Sequence, residues 1–219
     1  MKNNDSGRLV YMNGVYVSEK DAKISIFDSA LMFGDMVFEM TRSFNKKHFK
    51  LKEHLERLLY GVKIYRIPLD LNINDLEKIC LETAEKNDKF FGPTDEHRLM
   101  INVSRGPLGI YAPIFNNKIE PTVVVADFPL KWTVASMGKL YDEGINAVLV
   151  NQRAIPAHLM DPKIKNRSRV FYQMANIEAS MFRGKNNWAV MMDTDGFIAE
   201  GSGDNFFIIK NGTVITPEG

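Results

Sequence analysis

Two β-rich segments flank Asn13-Gly14 in the run RLVYMNGVYV, and this dipeptide is the strongest short signal for a two-residue hairpin turn. The runs MVFEMTRSF and HFKLKEHL flank a polar turn in the same way and predict a second hairpin. Two later runs, RLMINVS and PTVVVADF, are also rich in residues that favour strands. The first part of the chain is therefore expected to contain several β-strands.

Two helices are predicted between these strands. The first has apolar residues at helical spacing and ends before Pro68; they are Leu55, Leu58, Leu59 and Val62. The second begins near Asn74 and turns another set inward, namely Leu76, Ile79, Cys80 and Thr83. Strands and helices together predict an α+β domain over residues 1–128.

Residues 129–138 show neither a clear strand pattern nor a clear helix pattern, and we interpret them as a linker between domains. Residues 139–219 then predict a second domain with a mixed, barrel-like sheet. Its strands are expected in GINAVLVNQ, NNWAVMMD and NFFIIKNGTVI, and a helix is expected from about Ser168 to Phe182. The chain stops soon after a strand without a closing helix, so this domain is expected to be incomplete.

Composition restricts the classes of partner. The formal net charge of the 219 residues is +1, which gives no reason to expect binding to nucleic acid or to an anionic membrane. Neither a secretory signal nor a transmembrane run is recognisable, so a cytoplasmic protein is expected. One cysteine and four scattered histidines predict neither a disulfide framework nor a metal site.

The segment DPKIKNRSRVFY places Lys163, Arg167 and Arg169 close in sequence to Lys165. Nearby positive charges lower the pKa of a lysine and make it a better nucleophile for Schiff-base formation. An exposed basic helix start explains the same pattern, and spacing alone favours that explanation. The local sequence therefore leaves both interpretations open.

Four segments, in order along the chain, resemble the class IV, or branched-chain and D-amino-acid, aminotransferases. They are NGVYVSEKDAKISIFDSALMFGDMVFEMTR, KEHLERL, IKNRSRVFYQMANIEA and DGFIAEGSGDNFFIIKNG. The resemblance implies a two-domain enzyme of mixed α+β and α/β character (fold type IV), with a small N-terminal α+β domain and a larger C-terminal domain. It also implies pyridoxal 5'-phosphate as cofactor, and a homodimer or a higher even oligomer.

Carried over residue by residue, the resemblance assigns the cofactor contacts. Lys165 is expected to bind pyridoxal phosphate as a Schiff base and to move the proton at the substrate Cα. Glu200 is expected to lie against the pyridine nitrogen, and Arg57 to bind the phosphate. Asp28 and Glu39 are expected to order the N-terminal loop. Taken without the resemblance, Arg57 and Glu200 would be ordinary surface residues.

Transamination between an amino acid and a 2-oxo acid is the predicted reaction, with a branched-chain or other apolar L-amino acid favoured. Arg98 and Arg42 are predicted to bind substrate carboxylates, with Arg153 and Arg105 as further candidates, and Phe38 to line the substrate pocket. Leu31 stands where the D-amino-acid enzymes have a tyrosine, which argues against that branch. A D-amino-acid transaminase, an aminodeoxychorismate lyase-type elimination and a non-catalytic relative that binds a ligand remain alternatives.

Overall fold

The structure is a computed structural model that describes residues 7–217. It divides into two compact units. The first extends to Ala135 and also includes the short segment Ile164–Ser168. The second contains Ser136–Lys163 and the chain from Arg169 onward. Residues 129–138, predicted as a linker, contain the helix Lys131–Met137.

The first unit is built on a six-stranded sheet in the order β2-β1-β6-β5-β3-β4, in which every neighbouring pair is antiparallel. The strands are β1 Leu9–Met12, β2 Val15–Ser18, β3 Met36–Phe44, β4 Lys47–His48, β5 His97–Ser104 and β6 Thr122–Pro129. The hairpin predicted at Asn13-Gly14 is present, and both turn residues have positive φ, 44° and 92°. Strands β5 and β6 also form where they were predicted.

The second predicted hairpin is much shorter than expected. Strand β4 has only two residues, and helix α2, Leu51–Ile64, begins inside the run predicted as a strand. Leu51, Leu55, Leu58 and Val62 form a buried stripe along α2. This helical periodicity extends one turn further back than predicted and outweighs the strand preference of the segment.

Helices α2 Leu51–Ile64 and α3 Ile73–Asp88 cover one face of the sheet. A capping box formed by Asn72 and Asp75 fixes the start of α3. The shorter helices are α1 Ser29–Phe33 and α4 Lys131–Met137, and a 3₁₀ helix spans Gly109–Phe115. The core between helices and sheet contains, among others, Leu55, Leu58, Leu76, Cys80, Val37, Ile101 and Val125.

Alternation along β3 separates two sets of side chains. Val37 and Glu39 point to the helices, so Phe38 and Arg42 point to the other face. Phe38 is paired with Asn102 of β5, and Arg42 with Arg98. The fold therefore puts Phe38, Arg42 and Arg98 on the sheet face opposite the helices, which we call the open face.

A buried carboxylate fixes the loop that precedes β3. The Asp28 side chain caps α1 by accepting from the Ala30 amide at 2.8 Å. It also accepts hydrogen bonds from Ser104 Oγ at 2.7 Å and Thr122 Oγ1 at 2.6 Å, at the ends of β5 and β6. Asp28 is fully buried, and these three donors satisfy its charge. The expectation that Asp28 orders the N-terminal loop is confirmed.

The second unit contains a three-stranded mixed sheet, in which β7 Asn146–Arg153 runs parallel to β8 Asn187–Met192 and β9 Ile198–Gly201 pairs antiparallel to β8. Helix α6, Val170–Ser180, packs Ala175 and Ala179 against this sheet. A short helix, α5, spans Leu140–Glu143. The described part of the chain contains no helix long and apolar enough to cross a membrane.

The last predicted strand is in fact a hairpin. Strands β10 Ile208–Lys210 and β11 Thr213–Ile215 pair antiparallel across Asn211-Gly212. Both turn residues have positive φ, 51° and 75°, as at Asn13-Gly14. The same turn signal was therefore present in the sequence, and the prediction of one continuous strand was wrong.

Two neighbouring histidines, His97 at the start of β5 and His48 on β4, have pKa values shifted in opposite directions. His97 is buried, with Nδ1 2.8 Å from an Asp127 oxygen and Nε2 3.0 Å from an Asp88 oxygen. Burial lowers the pKa of His97, but the two carboxylates outweigh burial and the net pKa is raised. The His48 ring lies 5.8 Å away, and burial together with the charge of His97 lowers its pKa to about 4.

These shifts predict pH-dependent stability of opposite sign for the two residues. Because the pKa of folded His97 is raised, its contribution to stability is complete below about pH 6.5 and is lost as the pH rises through the folded value. The difference in unfolding free energy between wild type and His97→Gln should therefore shrink as the pH rises above about 6.5. Urea denaturation at each pH measures it.

His48→Gln is the matched control. The pKa of folded His48 is depressed, so its contribution should be lost as the pH falls from about 6.5 through 4. A His97 contribution that grows with rising pH would contradict the assignment.

Candidate active site

Lys165 lies on a short segment that docks on the edge of β3. The Phe38 amide donates to the Lys165 carbonyl oxygen at 2.9 Å, and the Arg167 amide donates to the Met36 carbonyl oxygen at 2.9 Å. Val37 and Asn166 form an antiparallel bridge between these two bonds. We call the segment Ile164–Ser168 the lysine strap. It behaves as a very short extra strand beside β3.

Both ends of the lysine strap are fixed by close packing. At one end Ile164 is buried against Gly61 of α2, where an added Cβ would lie 3.3 Å from Ile164 Cγ2 and 3.0 Å from a Val37 methyl. At the other end Ser168 Oγ donates to the Phe33 carbonyl oxygen at 3.1 Å. Gly34 has φ of 68°, and an added Cβ there would lie 3.0 Å from Ser168 Cα. Gly34 is therefore required by its positive φ and by the Ser168 backbone, and Gly61 allows Ile164 to pack closely on α2.

Lys165 and Arg167 meet the same aromatic ring on the open face. Lys165 Nζ lies 5.1 Å from the centre of the Phe38 ring, and the Arg167 guanidinium carbon lies 3.6 Å from it. Arg167 Nε and Nη2 both donate to Asn102 Oδ1, at 3.3 and 2.9 Å. The structure thus brings the predicted residues Lys165 and Phe38 together. It adds Arg167, which the sequence did not single out.

Arg57 is bound to a fully buried carboxylate on the helix-covered face. Its Nε and Nη2 donate to the two oxygens of Glu39 at 2.5 and 2.8 Å, and His54 Nδ1 lies 2.8 Å from Glu39 as well. The hydrogen bonds to Glu39 raise the pKa of Arg57. The side chain of Arg57 remains 47% exposed. Glu39 was predicted to order the N-terminal loop; its side chain instead orients Arg57.

The arginines predicted to bind substrate occupy different settings. Arg98 donates to Thr133 Oγ1, and burial lowers its pKa. Arg42, its register partner on β3, lies over the Phe44 ring at 4.0 Å. Both belong to the open face.

Arg105 has a structural role. It binds the Asp35 carboxylate through Nε and Nη2, at 2.7 and 3.3 Å. It also donates to the carbonyl oxygens of Tyr65 and Arg66. These bonds tie the start of β3 to the end of α2.

Glu200 belongs to the second unit, on β9. The Tyr172 hydroxyl, from α6, donates to Glu200 Oε1. The Arg169 guanidinium carbon lies 4.6 Å from the centre of the Tyr172 ring. Burial raises the pKa of Tyr172 to about 12, and the hydrogen bond and charge of Glu200 act in the same direction. Tyr172 was not predicted as a site residue, because no local pattern links a helix residue to a strand 28 positions later.

The Asp204 carboxylate packs directly on Gly201, the residue after Glu200. A Cβ added at Gly201 would lie 2.0 Å from Asp204 Oδ2, so a larger residue there would displace this carboxylate. Burial raises the pKa of Asp204. Within the described residues no group of three or more histidine, cysteine, aspartate or glutamate side chains could hold a metal ion.

Comparisons with known proteins agree on one family. The family described as amino-transferase class IV matches residues 36–219. A putative branched-chain-amino-acid aminotransferase of Methanocaldococcus jannaschii is 35% identical over 209 residues, which are 95% of this chain and 67% of that protein.

Solved structures give the same result. The branched-chain aminotransferase of Thermoproteus uzoniensis, crystallised with norvaline, matches with a TM-score of 0.77 and 26% identity over 96% of this chain and 68% of that one. A T.th. branched-chain amino acid aminotransferase, complexed with N-(5'-phosphopyridoxyl)-L-glutamate, matches with a TM-score of 0.78 and 27% identity, over 95% and 66% of the two chains. The chain thus spans about two thirds of the length of each of these three proteins.

The Glu39–Arg57 pair should be strongly coupled, because removing Arg57 leaves the buried Glu39 carboxylate with His54 as its remaining charged partner. We expect Arg57→Gln to lower the unfolding free energy by roughly 3 kcal/mol. In a double-mutant cycle with Glu39→Gln, the coupling energy should exceed about 1 kcal/mol. Urea denaturation of the four proteins gives both quantities. Additive effects of the two substitutions would show that the contact has little energetic weight.

Tyr172 should stay protonated well above the ordinary range of a tyrosine. Its pKa is raised to about 12, so the stability that its protonated hydroxyl contributes is present below about pH 10 and is lost as the pH rises towards 12. Tyrosinate absorbance of wild type and Tyr172→Phe should therefore coincide up to about pH 10.5. Glu200→Gln removes the facing charge and should lower the Tyr172 midpoint. An unchanged midpoint in that variant would exclude the contact.

Proposed function

Because the chain belongs to the class IV aminotransferase family, we propose that it transfers an amino group between an amino acid and a 2-oxo acid with pyridoxal phosphate bound to Lys165. The observation that carries this proposal is the lysine strap. Backbone hydrogen bonds on both sides of Asn166 hold the Lys165 backbone beside β3, with Nζ over Phe38. A reacting amine has to be held in this way if it is to meet the same atoms in every turnover.

The donor set of the chain fits this cofactor. Pyridoxal phosphate has an aldehyde, a phosphate and a ring nitrogen, which call for an amine, a cation and a carboxylate. Lys165 provides the amine, and Arg57 provides a guanidinium that Glu39 keeps charged and oriented. Glu200 provides a carboxylate whose Oε1 is occupied by Tyr172. When bound, the cofactor supplies an electron sink that makes the substrate Cα proton acidic.

In the proposed reaction Lys165 carries the proton. With the cofactor bound, the free Lys165 amine would accept the proton from the substrate Cα, hold it as the ammonium form and later return it. The lysine strap allows the side chain to move while its backbone stays fixed.

Arg57 is proposed to bind the phosphate. A guanidinium has five N–H donors in one plane, and the bidentate pair with Glu39 uses one on Nε and one on Nη2. The half-exposed side chain has further donors with which to bind a phosphate. Glu39 reduces the net charge at this point, but it fixes the direction in which the guanidinium points.

A branched-chain or other apolar L-amino acid is the proposed substrate. Relatives in this family carry the name branched-chain-amino-acid aminotransferase. The open face offers the apolar side chains Phe38, Met40 and Met100, with Arg42 and Arg98 further along the strands to bind a carboxylate. We further expect a cytoplasmic homodimer or higher even oligomer, as the family resemblance implies, and sedimentation analysis of the purified protein tests the oligomeric state.

Trapping of the cofactor tests the assignment of Lys165. Protein loaded with pyridoxal phosphate and reduced with borohydride should carry one cofactor on the peptide that contains Lys165. Lys165→Ala should show no adduct and should lose at least about a hundredfold in activity, because proton transfer by a positioned group contributes roughly 100- to 10,000-fold. Lys163→Ala, the matched control two residues away, should keep both the adduct and the activity.

A half-reaction then tests transamination. With L-leucine alone, the wild-type protein should release 4-methyl-2-oxopentanoate in an amount equal to the bound cofactor, and the cofactor should be recovered as pyridoxamine phosphate. D-leucine and L-alanine in parallel establish stereochemistry and preference. An adduct on a lysine other than Lys165 would refute the site, and an adduct on Lys165 without oxo-acid release would refute the reaction.

A further inference from the structure

We propose that Arg167 binds a carboxylate of the substrate beside Lys165. The inference rests on the proposed function and deepens it, because it assigns a carboxylate-binding side chain to the lysine strap itself. The group that Arg167 would bind is a carboxylate. It is either the main-chain carboxylate (the α-carboxylate) of the amino acid or the side-chain carboxylate of an acidic substrate.

The position of Arg167 follows from its place on the lysine strap. Residues two apart on an extended segment point to the same side, so Arg167 lies on the same side as Lys165. Both are found within about 5 Å of the centre of the Phe38 ring, at 5.1 Å for Lys165 Nζ and 3.6 Å for the Arg167 guanidinium carbon.

The substrate has to place a negative charge in this region. Its amino group reacts where the Lys165 amine was, and its carboxylate is attached to the carbon that bears that amino group. A planar guanidinium binds a carboxylate with parallel hydrogen bonds, which a lysine cannot do. A guanidinium beside Lys165 therefore has both the charge and the shape required.

The contacts of Arg167 hold its guanidinium in a defined orientation. Nε and Nη2 donate to Asn102 Oδ1, Nη2 lies 3.4 Å from Met100 Sδ, and the group stacks on Phe38. An arginine that is already ordered loses less side-chain freedom when a ligand binds. Asn102 is itself fixed in register opposite Phe38.

The arginines predicted from the sequence lie further from Lys165 along the sheet. Arg42 is four residues along β3 from Phe38, and its register partner Arg98 is four residues along β5 from Asn102. At about 3.3 Å per residue, this separation is roughly 13 Å between Cα atoms. Arg98 is in addition directed towards Thr133 and Phe128. These two arginines are suited to a distant group of the substrate, whereas Arg167 is suited to a carboxylate close to the reacting carbon.

The test uses protein loaded with pyridoxal phosphate and two acids that lack an amino group. 4-Methylvalerate has one carboxylate, and glutarate has two. Calorimetry measures their affinity for wild type, Arg167→Gln and Arg167→Lys, and steady-state kinetics give KM and kcat for L-leucine and L-glutamate. Lys163→Gln is the matched control, because it removes one exposed positive charge at the same sequence distance from Lys165. Borohydride trapping on Lys165 is required for every preparation.

Arg167→Gln is expected to weaken acid binding by roughly 10- to 100-fold, the range for a lost hydrogen bond to a charged group. Arg167→Lys should recover only part of this loss, because it keeps the charge without the planar fork. Weaker binding of both acids identifies the main-chain carboxylate, and weaker binding of glutarate alone identifies a side-chain carboxylate. The corresponding KM should rise more than kcat falls, which a purely structural role for Arg167 would not produce.

Unchanged affinity for both acids in Arg167→Gln, with the Lys165 adduct intact, would overturn the inference and leave the proposed function standing. An equal loss of affinity in Lys163→Gln would also overturn it, because general charge would then explain the effect. Absence of the adduct in the wild-type protein would instead refute the proposed function. If Arg167→Gln alone fails to form the adduct, Arg167→Lys decides: wild-type affinity for both acids in that variant overturns the inference.

Discussion

The docking of the lysine strap on the edge of β3 is the contact on which the candidate site depends. Two backbone hydrogen bonds, at Phe38 and at Met36, determine where Lys165 lies and to which side it points. A shift by one residue would turn Lys165 towards the helix-covered face and Asn166 towards Phe38, because side chains alternate along an extended segment. Ile164, buried beside Gly61, and Ser168, packed on Gly34, prevent that shift.

Strand β3 connects the two chemical parts of the first unit. On one face Glu39 is buried and has to be paired, so Arg57 is held by the cost of leaving that carboxylate without a partner. On the other face Phe38 provides the ring that Lys165 and Arg167 contact. Phe38 and Glu39 are adjacent in β3. The orientations of the Arg57 guanidinium and of Lys165 therefore depend on the same stretch of backbone.

Features with a local cause could be predicted from the sequence. The turn at Asn13-Gly14 and the apolar stripe of α2 are encoded within a few residues, and both are present. The hairpin at Asn211-Gly212 has the same signal, but the apolar residues on both sides of it also fit the one continuous strand that the sequence predicted. No local pattern indicates the lysine strap, because its pairing with β3 joins residues about 130 positions apart. The contact between Tyr172 and Glu200 also has no local signal. Selection of Lys165 over Lys163 came from family resemblance, and the selected residue is the one on the strap. Arg167 lies two residues after Lys165, and in the sequence it is only one of several nearby positive charges.

The open face combines two chemical properties that the proposed reaction requires of one surface. A transaminase binds two different substrates in turn, and both have a carboxylate on the reacting carbon, whereas their side chains differ. Along β3 and β5, Met40 and Met100 separate the Arg167 end of the face from the Arg42 and Arg98 end. An apolar side chain can lie on the thioethers, which adapt to different shapes. A side chain that ends in a carboxylate can extend along the same methionines towards the distant arginines, whose separation of roughly 13 Å from Phe38 sets the length that fits. One fixed cation near Lys165 and two at a distance would therefore let the same surface accept both kinds of substrate without a change of backbone.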